Sequence, residues 1–334
     1  MKVLVVGGAG YIGSHAVREL RKQGHETRVL DNLCAGHAEA VEDGLLTVGD
    51  LKDRDGLESI LRDGSFDAVM HFAAHTSVPE STTDPAKYYE NNVIGTLNLL
   101  SAMRAAGVGK IVFSSTAATY GLAAETPIRE TAPKQPINPY GYTKLVIETA
   151  LADYARAYGL GYAVLRYFNA CGASSDASIG EDHHPENHLI PCILQTALGQ
   201  REKVFIYGTD YPTPDGTCVR DYIHVEDLAS AHLLVLDHIR PGTGMTYNLA
   251  TGRGYSVREV IDAARRVTGA PIPAVEMPRR AGDPPILVAS PEAIRRDLGW
   301  SPKYNDIEAI VRTAWTWHHQ NPRGYASRAE ARRA

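Results

Sequence analysis

A glycine-rich segment near the start of the chain limits the folds that this sequence can adopt. An apolar run at residues 2–6 leads directly into GGAGYIG at residues 7–13, and an amphipathic stretch follows. Glycines at this spacing allow a tight turn, let backbone N–H groups approach a phosphate at a helix N-terminus, and let helix and strand pack closely. The segment predicts a strand, a pyrophosphate-binding loop and a helix. Two registers fit, GxGxxG starting at Gly8 and GxxGxxG starting at Gly7.

Acidic residues follow the next two apolar runs. Asp31 lies 18 residues beyond Gly13, where a carboxylate can accept hydrogen bonds from the ribose hydroxyls of adenosine and would repel a 2′-phosphate. We therefore predict NAD rather than NADP, although Arg28 would suit NADP. Asp50 follows the third apolar run, either as a strand-end cap or as a contact to the nucleotide, and a nucleotide at this edge favours the contact.

The first half of the chain alternates short β-rich runs with amphipathic stretches, which is typical of a parallel sheet covered by helices. Six strands are predicted: Lys2–Val6, Thr27–Leu30, Leu45–Val48, Ala68–Phe72, Lys110–Phe113 and Gly161–Leu165. Four helices are predicted between them: Ile12–Gln23, Asp53–Leu61, Pro85–Ala106 and Tyr140–Tyr158. The predicted fold class is α/β, a Rossmann-type doubly wound parallel sheet followed by a smaller mixed α/β C-terminal domain.

The pattern becomes irregular after about residue 170. Residues 170–187 and 208–219 are polar and rich in Gly or Pro, so they are expected to be loops that line a site. Helices are predicted at Glu226–Ile239, Ser256–Val267 and Ile307–His318, and a short strand at Met245–Leu249. We predict an NAD-binding domain at 1–170, a substrate domain at 171–322 and a tail at 323–334.

Composition excludes several classes of partner. The 334 residues carry 34 basic and 39 acidic side chains, a net charge of −5, without a long basic run, so nucleic acid and anionic membrane surfaces are not expected partners. The chain shows no apolar stretch of the roughly 20 residues that a membrane helix needs and no signal peptide, which predicts a cytoplasmic location.

Neither the cysteines nor the histidines predict a metal site. Four widely spaced cysteines without a CxxC motif favour reduced thiols over a disulfide frame or a zinc site. His184 and His188 are four residues apart near Glu181 and Asp182, but Pro185 disfavours a helix that would place both imidazoles on one face. We expect no metal.

A tyrosine and a lysine begin the fourth predicted helix. Tyr140 and Lys144 are four residues apart and share one face of that helix, while SST at residues 114–116 follows the fifth strand at the edge of the sheet where NAD is expected. A phenol with a pKa near 10 needs a nearby cation to become a phenolate at neutral pH. Tyr140 can then take a proton from a sugar hydroxyl that Thr116 holds in line, while hydride leaves the same carbon.

These three motifs resemble the extended short-chain dehydrogenase/reductase family. Longer stretches resemble its UDP-glucose 4-epimerase group: HFAA at 71–74, YENNV at 89–93, LRYFN at 165–169, IGEDH at 179–183, YGTDYPTPDGTCVRDYIHV at 207–225 and PRRAGD at 278–283. The resemblance implies interconversion of UDP-glucose and UDP-galactose through oxidation at C4 by bound NAD, rotation of the 4-keto sugar and return of the hydride. It also implies a homodimer, and the return of residues near 220–240 to the first domain.

The resemblance assigns roles residue by residue. Tyr140, Lys144 and Thr116 would be catalytic. The cofactor would contact Gly7, Gly10, Tyr11, Ile12, Gly13, Asp31, Asn32, Asp50, Leu51, Phe72, Ala73, Ala74, Asn91, Ser114, Lys144 and Phe168. The substrate would contact Thr116, Asn169, His188, Leu189, Tyr207, Arg220, Tyr222, Arg280, Asp283 and Leu287, with the two arginines offering planar donor forks to the diphosphate.

Some positions depart from the family pattern, and some alternatives stay open. Thr76 stands where some members have a lysine near the cofactor, Thr116 replaces the usual serine, and Leu287 occupies the position of a size gate that leaves N-acetylated or other UDP-sugars as alternative substrates. A 4,6-dehydratase of this family would carry Asp-Glu where this chain has Ala117-Ala118. A regulator that only binds NAD would have no need of the tyrosine and lysine pair.

Overall fold

Short apolar runs form strands and the amphipathic stretches between them form helices. The structure is a computed structural model that describes residues 1–280 and 282–326. Its strands are β1 (Lys2–Val6), β2 (Glu26–Asp31), β3 (Leu46–Val48), β4 (Ala68–His71), β5 (Lys110–Ser114), β6 (Gly161–Arg166), β7 (Asn169–Cys171), β8 (Val204–Tyr207), β9 (Val219–His224), β10 (Gly244–Asn248), β11 (Gly254–Ser256), β12 (Ala274–Met277) and β13 (Ile286–Leu287).

The helices are α1 (Tyr11–Lys22), α2 (Arg54–Gly64), α3 (Val78–Thr83), α4 (Pro85–Tyr88), α5 (Gly95–Ala106), α6 (Pro139–Tyr158), α7 (Leu189–Ala197), α8 (Val225–His238), α9 (Val257–Thr268), α10 (Glu292–Leu298) and α11 (Ile307–Gln320). In addition, a π-helical segment at Tyr89–Ile94 joins α4 to α5, and residues 117–120 form a short 3-10 helix.

Seven parallel strands form the main sheet in the order β10-β6-β5-β4-β1-β2-β3. This order reverses direction beside β1, which opens a crevice at the carboxyl ends of the strands. All six predicted strands are present, and the doubly wound parallel sheet is confirmed. The sheet has one strand more than the six predicted for it, because β10, which matches the short strand predicted at Met245–Leu249, pairs with β6.

The two faces of the sheet bury different sets of residues. Side chains alternate along β1, so Val3 and Val5 face the layer of α1 and α8, whereas Leu4 and Val6 face α2, α5 and α6. Because α8 packs against α1, this segment of the second half covers the main sheet.

The predicted helix Pro85–Ala106 is interrupted by the π-helical segment. Its turns widen around Asn92, whose amide accepts from the His75 backbone N–H at 2.9 Å and donates to the His75 carbonyl at 3.0 Å. An added residue in a helical turn rotates the positions around it, and π segments are frequent at functional sites for this reason. The neighbouring Asn91 lines the main cavity.

A second core forms beyond residue 170. Helices α7, α9 and α11 bury Ile193, Val260 and Val311 with residues of β7 and β8. The small strand pairs β8–β12 and β9–β13 bring residues 204–220 and 274–287 beside the main sheet. The loops between these strands face the crevice.

The predicted tail begins inside the packed structure. The Tyr325 ring packs against Trp317 and stacks on His37, and its backbone N–H donates to Asp182 Oδ2 at 2.9 Å. Residues 327–334 of that tail lie outside the described residues. None of the helices in the described ranges is long and apolar enough to cross a membrane.

Candidate active site

A cavity of about 860 Å³ lies at the carboxyl ends of the sheet strands. Every residue predicted from the sequence as catalytic, cofactor-binding or substrate-binding lines it. The segments that contribute them span residues 6 to 287, so the fold brings together side chains that are far apart in sequence. Their individual roles remain predictions.

The glycine loop has one register in the structure. A Cβ on Gly13 would lie 2.1 Å from the carbonyl oxygen of Gly7, and a Cβ on Gly7 would lie 2.4 Å from the backbone nitrogen of Ala73. Gly7 also has a φ of +79°, a conformation that favours glycine. Gly8 meets only side chains at 2.9 to 3.1 Å and does not line the cavity. The functional spacing is therefore GxxGxxG from Gly7.

Helix α1 presents its N-terminus to this loop. Its N-cap residue is Gly10, which makes no side-chain capping hydrogen bond. The first amides of a helix have no partner within the helix and favour an anion. Because the loop also excludes side chains, the backbone can approach a pyrophosphate closely, and the residues present fit a dinucleotide.

Carboxylates border the same part of the cavity. Asp31 ends β2 and accepts hydrogen bonds from the backbone N–H groups of Ala9 at 3.0 Å and Leu33 at 2.9 Å. These bonds fix the carboxylate beside the glycine loop. Asp50 accepts from the Asn32 amide at 2.9 Å, so both acids predicted to contact the nucleotide stand where it would lie.

The tyrosine, lysine and threonine meet where β5 ends and α6 begins. Asn138 caps α6 by accepting from the N–H of Gly141 at 2.8 Å, which sets the start of the helix. The Tyr140 hydroxyl forms a hydrogen bond with Thr116, and Lys144 Nζ donates to the Ser114 carbonyl at 2.8 Å. A phenol, a hydroxyl and an ammonium therefore share one buried corner.

The protein's own groups keep the phenol protonated. Burial raises the pKa of Tyr140 to about 12, although the hydrogen bond with Thr116 lowers it. Burial lowers the pKa of Lys144 to about 7, against the opposing effect of Glu148. The sequence led us to expect Lys144 to favour the phenolate, but its ammonium is bound to the Ser114 carbonyl and burial dominates both groups.

A buried network that the sequence analysis missed lies behind this corner. Glu148 accepts from the Ser115 hydroxyl at 2.6 Å and from Arg166 Nε at 2.9 Å, and Arg166 also donates to the Tyr120 hydroxyl at 2.8 Å. A buried ion pair of this kind is costly to break, because it would leave one charge unpaired. The network ties α6 to β6 and to the segment that carries Thr116.

Two of the predicted substrate residues in the cavity are arginines. Arg220 on β9 donates to the carbonyls of Val219 and Pro284, both at 2.9 Å. The Arg280 guanidinium lies 3.8 Å from the centre of the Tyr207 ring. Held in this way, the two guanidinium groups offer positive charge to an anionic ligand.

Other predicted substrate residues flank the arginines. Asn169 on β7 donates to the Asp221 carbonyl at 3.0 Å, and burial raises the pKa of Tyr222 on β9. Asp283 Oδ1 lies 3.7 Å from a guanidinium nitrogen of Arg220. Leu287 packs against the buried cluster of Ala117, Tyr120 and Ile128, two of which belong to the 3-10 helix that follows Thr116.

The loop before α7 contains acidic and imidazole groups that the sequence analysis misplaced. His183, which was not considered with His184 and His188, lies beside Glu181, Glu186 and His188. Burial lowers the pKa of His183, but the Glu181 and Glu186 carboxylates outweigh it and raise that pKa to about 10. The spacing Glu-x-His-x-x-Glu-x-His was the available signal. The four cysteines are free thiols, as predicted.

The model of the NAD dependent epimerase/dehydratase family matches residues 3–250. A UDP-glucose 4-epimerase of Halalkalibacterium halodurans is 55% identical over 328 residues, covering 98% of both chains. A UDP-glucose 4-epimerase of Streptococcus mutans is 52% identical over 332 residues, covering 98% of this chain and 100% of the relative. The crystal structure of UDP-glucose 4-epimerase from Brucella ovis in complex with NAD is 49% identical, with a TM-score of 0.91 over 94% of this chain and 97% of that one.

Proposed function

The chain belongs to the NAD dependent epimerase/dehydratase family, and we propose on this basis that it interconverts UDP-glucose and UDP-galactose with NAD as cofactor. One observation carries the proposal: a single cavity holds the glycine loop, the corner with Tyr140 and Thr116, and the two arginines. These three parts supply a dinucleotide site, an acid/base pair and an anion anchor. The protein is an isomerase, and its cofactor is NAD.

Each catalytic side chain has a role that follows from its place. Tyr140 exchanges a proton with the sugar O4, and Thr116 holds that hydroxyl in line by accepting or donating a hydrogen bond. Lys144 is anchored on the Ser114 carbonyl, and it brings positive charge into the corner when it is protonated. Bound NAD accepts a hydride from C4 and returns it to the opposite face of the sugar.

The protonation states of Tyr140 and Lys144 indicate how the proton is transferred. Since burial raises the pKa of Tyr140 to about 12 and lowers that of Lys144 to about 7, the resting corner holds a neutral acid beside a readily deprotonated amine. Proton transfer to or from O4 then occurs away from bulk water. Positive charge near the phenol during turnover favours its loss of a proton.

The residues near Thr116 favour epimerisation over dehydration. Elimination of water across C5 and C6 needs an acidic pair, and the positions where dehydratases of this family carry Asp-Glu are Ala117 and Ala118, which both line the cavity. Phe168 and Leu287 pack against the buried cluster that includes Ala117. Ala117 and Ala118 therefore offer no acidic group for elimination.

Weak contacts to the hexose are a requirement of the reaction. The 4-keto sugar must present both faces to the cofactor, so a ring held by many hydrogen bonds could not turn over. Arg220 and Arg280 anchor the diphosphate instead, and the sugar stays free to rotate. Binding energy is thus taken from a part of the substrate that does not react.

The range of UDP-sugars depends on Leu287. Its side chain packs against the buried cluster that includes Ala117, and leucine is neither as large as tyrosine nor small. We propose UDP-glucose and UDP-galactose as the main substrates, with N-acetylated UDP-hexoses as the alternative. Parallel assays of plain and N-acetylated substrates on the wild type and on Leu287→Tyr decide this point: acceptance of the N-acetylated sugar that the tyrosine variant loses would support the alternative.

We further propose that the protein is a homodimer, acts in galactose metabolism and is cytoplasmic. The dimer is supported by exposed apolar side chains on neighbouring helices, at Ile94, Leu97, Tyr142 and Val146. A pair of copies would cover them in a two-fold four-helix arrangement. Light scattering on the purified protein tests the dimer, and the mass of a single chain at micromolar concentration would contradict it.

The direct test is conversion of UDP-galactose by the purified protein. We expect UDP-glucose to form without added oxidant, because the cofactor is regenerated in each cycle. Protein that retains NAD but produces no UDP-glucose would reject the epimerase and favour an NAD-binding regulator. Formation of a 4-keto-6-deoxy sugar would favour a dehydratase.

A further inference from the structure

The loop before α7 gathers four groups that commonly bind metals. Within eight residues, Glu181, His183, Glu186 and His188 each offer one ligand atom, and these atoms all lie within 4.8 Å of one another. Both histidines contribute Nδ1. The cluster lines the same cavity but is separate from the Tyr140 corner in sequence and in its elements.

The separations in the cluster match those around a tetrahedral ion. His188 Nδ1 lies 2.8 Å from Glu186 Oε1 and 3.2 Å from Glu181 Oε1. His183 Nδ1 lies 3.3 Å from Glu181 Oε1 and 3.6 Å from Glu186 Oε2. Ligands at about 2.0–2.1 Å from a tetrahedral zinc ion are about 3.3 Å apart. The four ligand atoms lie within 4.8 Å of one another, so the widest pairs must close by up to about 1.5 Å to contact one ion.

Burial and orientation also point to a cation. The carboxylates of Glu181 and Glu186 are only 5% and 3% exposed. His183 Nδ1 is itself buried and has no hydrogen-bond partner of acceptable geometry among the described residues. A buried nitrogen beside two buried carboxylates can be held either by a proton or by a cation that replaces the proton.

The surroundings hold one carboxylate in position. Glu186 Oε1 accepts hydrogen bonds from the backbone N–H groups of Asn187 at 2.7 Å and His188 at 2.8 Å. These bonds orient the group and leave Oε2 toward His183. Ordered partners behind a ligand are typical of protein metal sites.

Two buried carboxylates require two positive charges. Either both imidazoles carry a proton, or one divalent cation replaces both protons and leaves the imidazoles neutral. The ring centres of His183 and His188 are 4.9 Å apart, so two imidazolium ions at these positions would repel each other. A single ion satisfies all four groups at once.

We propose that Glu181, His183, Glu186 and His188 bind one divalent transition-metal ion of the zinc type. With four protein ligands the site is closed and structural, so it takes no step in the reaction. It clamps the loop before α7 beside the Tyr11 ring, whose centre is 6.2 Å from that of His183. A contact from His188 to substrate would then come through Nε2. From the sequence we expected no metal, because Pro185 disfavours a helix with His184 and His188 on one face.

Zinc binding to the whole chain tests the proposal without reference to epimerase activity. After treatment with a chelator and its removal, titration with zinc should give one ion per chain in calorimetry, and cobalt should produce the intense visible bands of a tetrahedral site. Binding should release protons, seen as a dependence of the measured heat on the buffer. The thermal midpoint of unfolding should rise with zinc.

Substitutions of single proposed ligands test where the ion binds. Glu181→Gln and His183→Gln should each weaken zinc binding by about 10-fold to 100-fold or more, since each removes a ligand or its support. His184→Gln is the matched control, because this exposed neighbour lies outside the cluster, and it should bind zinc like the wild type. Retained NAD content reports that each variant is folded.

Three results would overturn the proposal. They are the absence of stoichiometric zinc binding at micromolar concentration, a cobalt complex of the wild type without tetrahedral bands, and equal zinc affinity in Glu181→Gln, His183→Gln and His184→Gln. The first would mean that two protonated imidazoles neutralise the carboxylates. Since the readout is the metal, the epimerase proposal and this one can fail separately.

Discussion

The cofactor side and the substrate side of the cavity are made from different parts of the chain. On the cofactor side, backbone contacts shape the cavity. A Cβ on Gly13 would lie 2.1 Å from a carbonyl oxygen, and Asp31 is fixed by two backbone N–H groups. On the substrate side, the charge comes from Arg220 on β9 and from Arg280 beyond β12, which are held by carbonyls and an aromatic ring.

This difference predicts how each side responds to change. A surface made by close backbone contacts has no room for another atom, so a small substitution there should abolish binding. A surface made by long side chains loses affinity by degrees as single contacts are removed. The corner with Tyr140 lies where the two sides meet, and it should affect turnover without affecting either binding event.

The largest effect is expected for Gly13→Ala. The added methyl group would collide with the Gly7 carbonyl and push α1 away from the phosphate loop, and even a 1 Å misplacement costs about 10²-fold in rate. We expect NAD and activity to be lost together, as measured by the absorbance of released nucleotide and by conversion of UDP-galactose.

The matched control for this variant is Gly109→Ala. A Cβ at Gly109 meets nothing within 4 Å, and its φ is not positive, so NAD content and activity should stay at the wild-type level. Normal NAD content in Gly13→Ala would contradict the view that backbone contacts define the cofactor side.

The next largest effect is expected for Tyr140→Phe. Removal of the hydroxyl takes away the acid/base group but leaves the ring, so kcat should fall by about 10² to 10⁴-fold while NAD stays bound. Tyr142→Phe, an exposed tyrosine two residues further on the same helix, should keep wild-type kcat. Near-normal turnover in Tyr140→Phe would mean that another group moves the proton.

A smaller effect is expected for Arg280→Ala on the substrate side. Loss of a charge-assisted contact worth about 1.5–3 kcal/mol should raise KM by roughly 10-fold to 100-fold, with NAD content unchanged. Arg279→Ala is the neighbouring control, because Arg279 pairs with the exposed Asp210 instead of lining the cavity. Equal KM values for both variants would remove Arg280 from the diphosphate site.

The difference between the cofactor side and the substrate side also explains which parts of the protein could be predicted from the sequence. Strands β1 to β6 are short apolar runs, and the glycine loop is a local string, so periodicity and spacing were sufficient. Strand β9 was missed because it carries Arg220, Asp221 and His224. Asp221 is buried only because distant N–H groups of Thr251 and Gly252 donate to it, and no local pattern shows such partners.

Helix α7 was missed for a local reason. Pro191 breaks the expected helical pattern, yet it lies in the first turn of α7, where a missing N–H costs little. The residues of the substrate side were named through resemblance rather than through spacing. The fold then brought all of them to one cavity, because β8, β9 and β13 carry their loops to the edge of the main sheet.

The smallest expected effect is a pH dependence of stability that arises from Lys144. Its pKa is lowered by burial to about 7, whereas in the unfolded chain it is near 10.4. Between these values the unfolded chain binds one more proton than the native chain, so the free energy of unfolding rises with pH from about 7 to about 10. Below pH 7 both the native and the unfolded chain hold the proton, so Lys144 no longer makes the free energy of unfolding depend on pH.

Comparison with Lys144→Met isolates this contribution. In urea unfolding of the chain freed of nucleotide, the stability difference between wild type and variant should change in favour of the wild type by at most about 1.4 kcal/mol per pH unit above pH 7. Tyr140 does not interfere, since its pKa is raised to about 12. If the stability difference between wild type and Lys144→Met does not change from pH 7 to 9, Lys144 stays protonated in the native chain. The surroundings of Lys144 would then resemble the more solvated substrate side instead of the closely packed cofactor side.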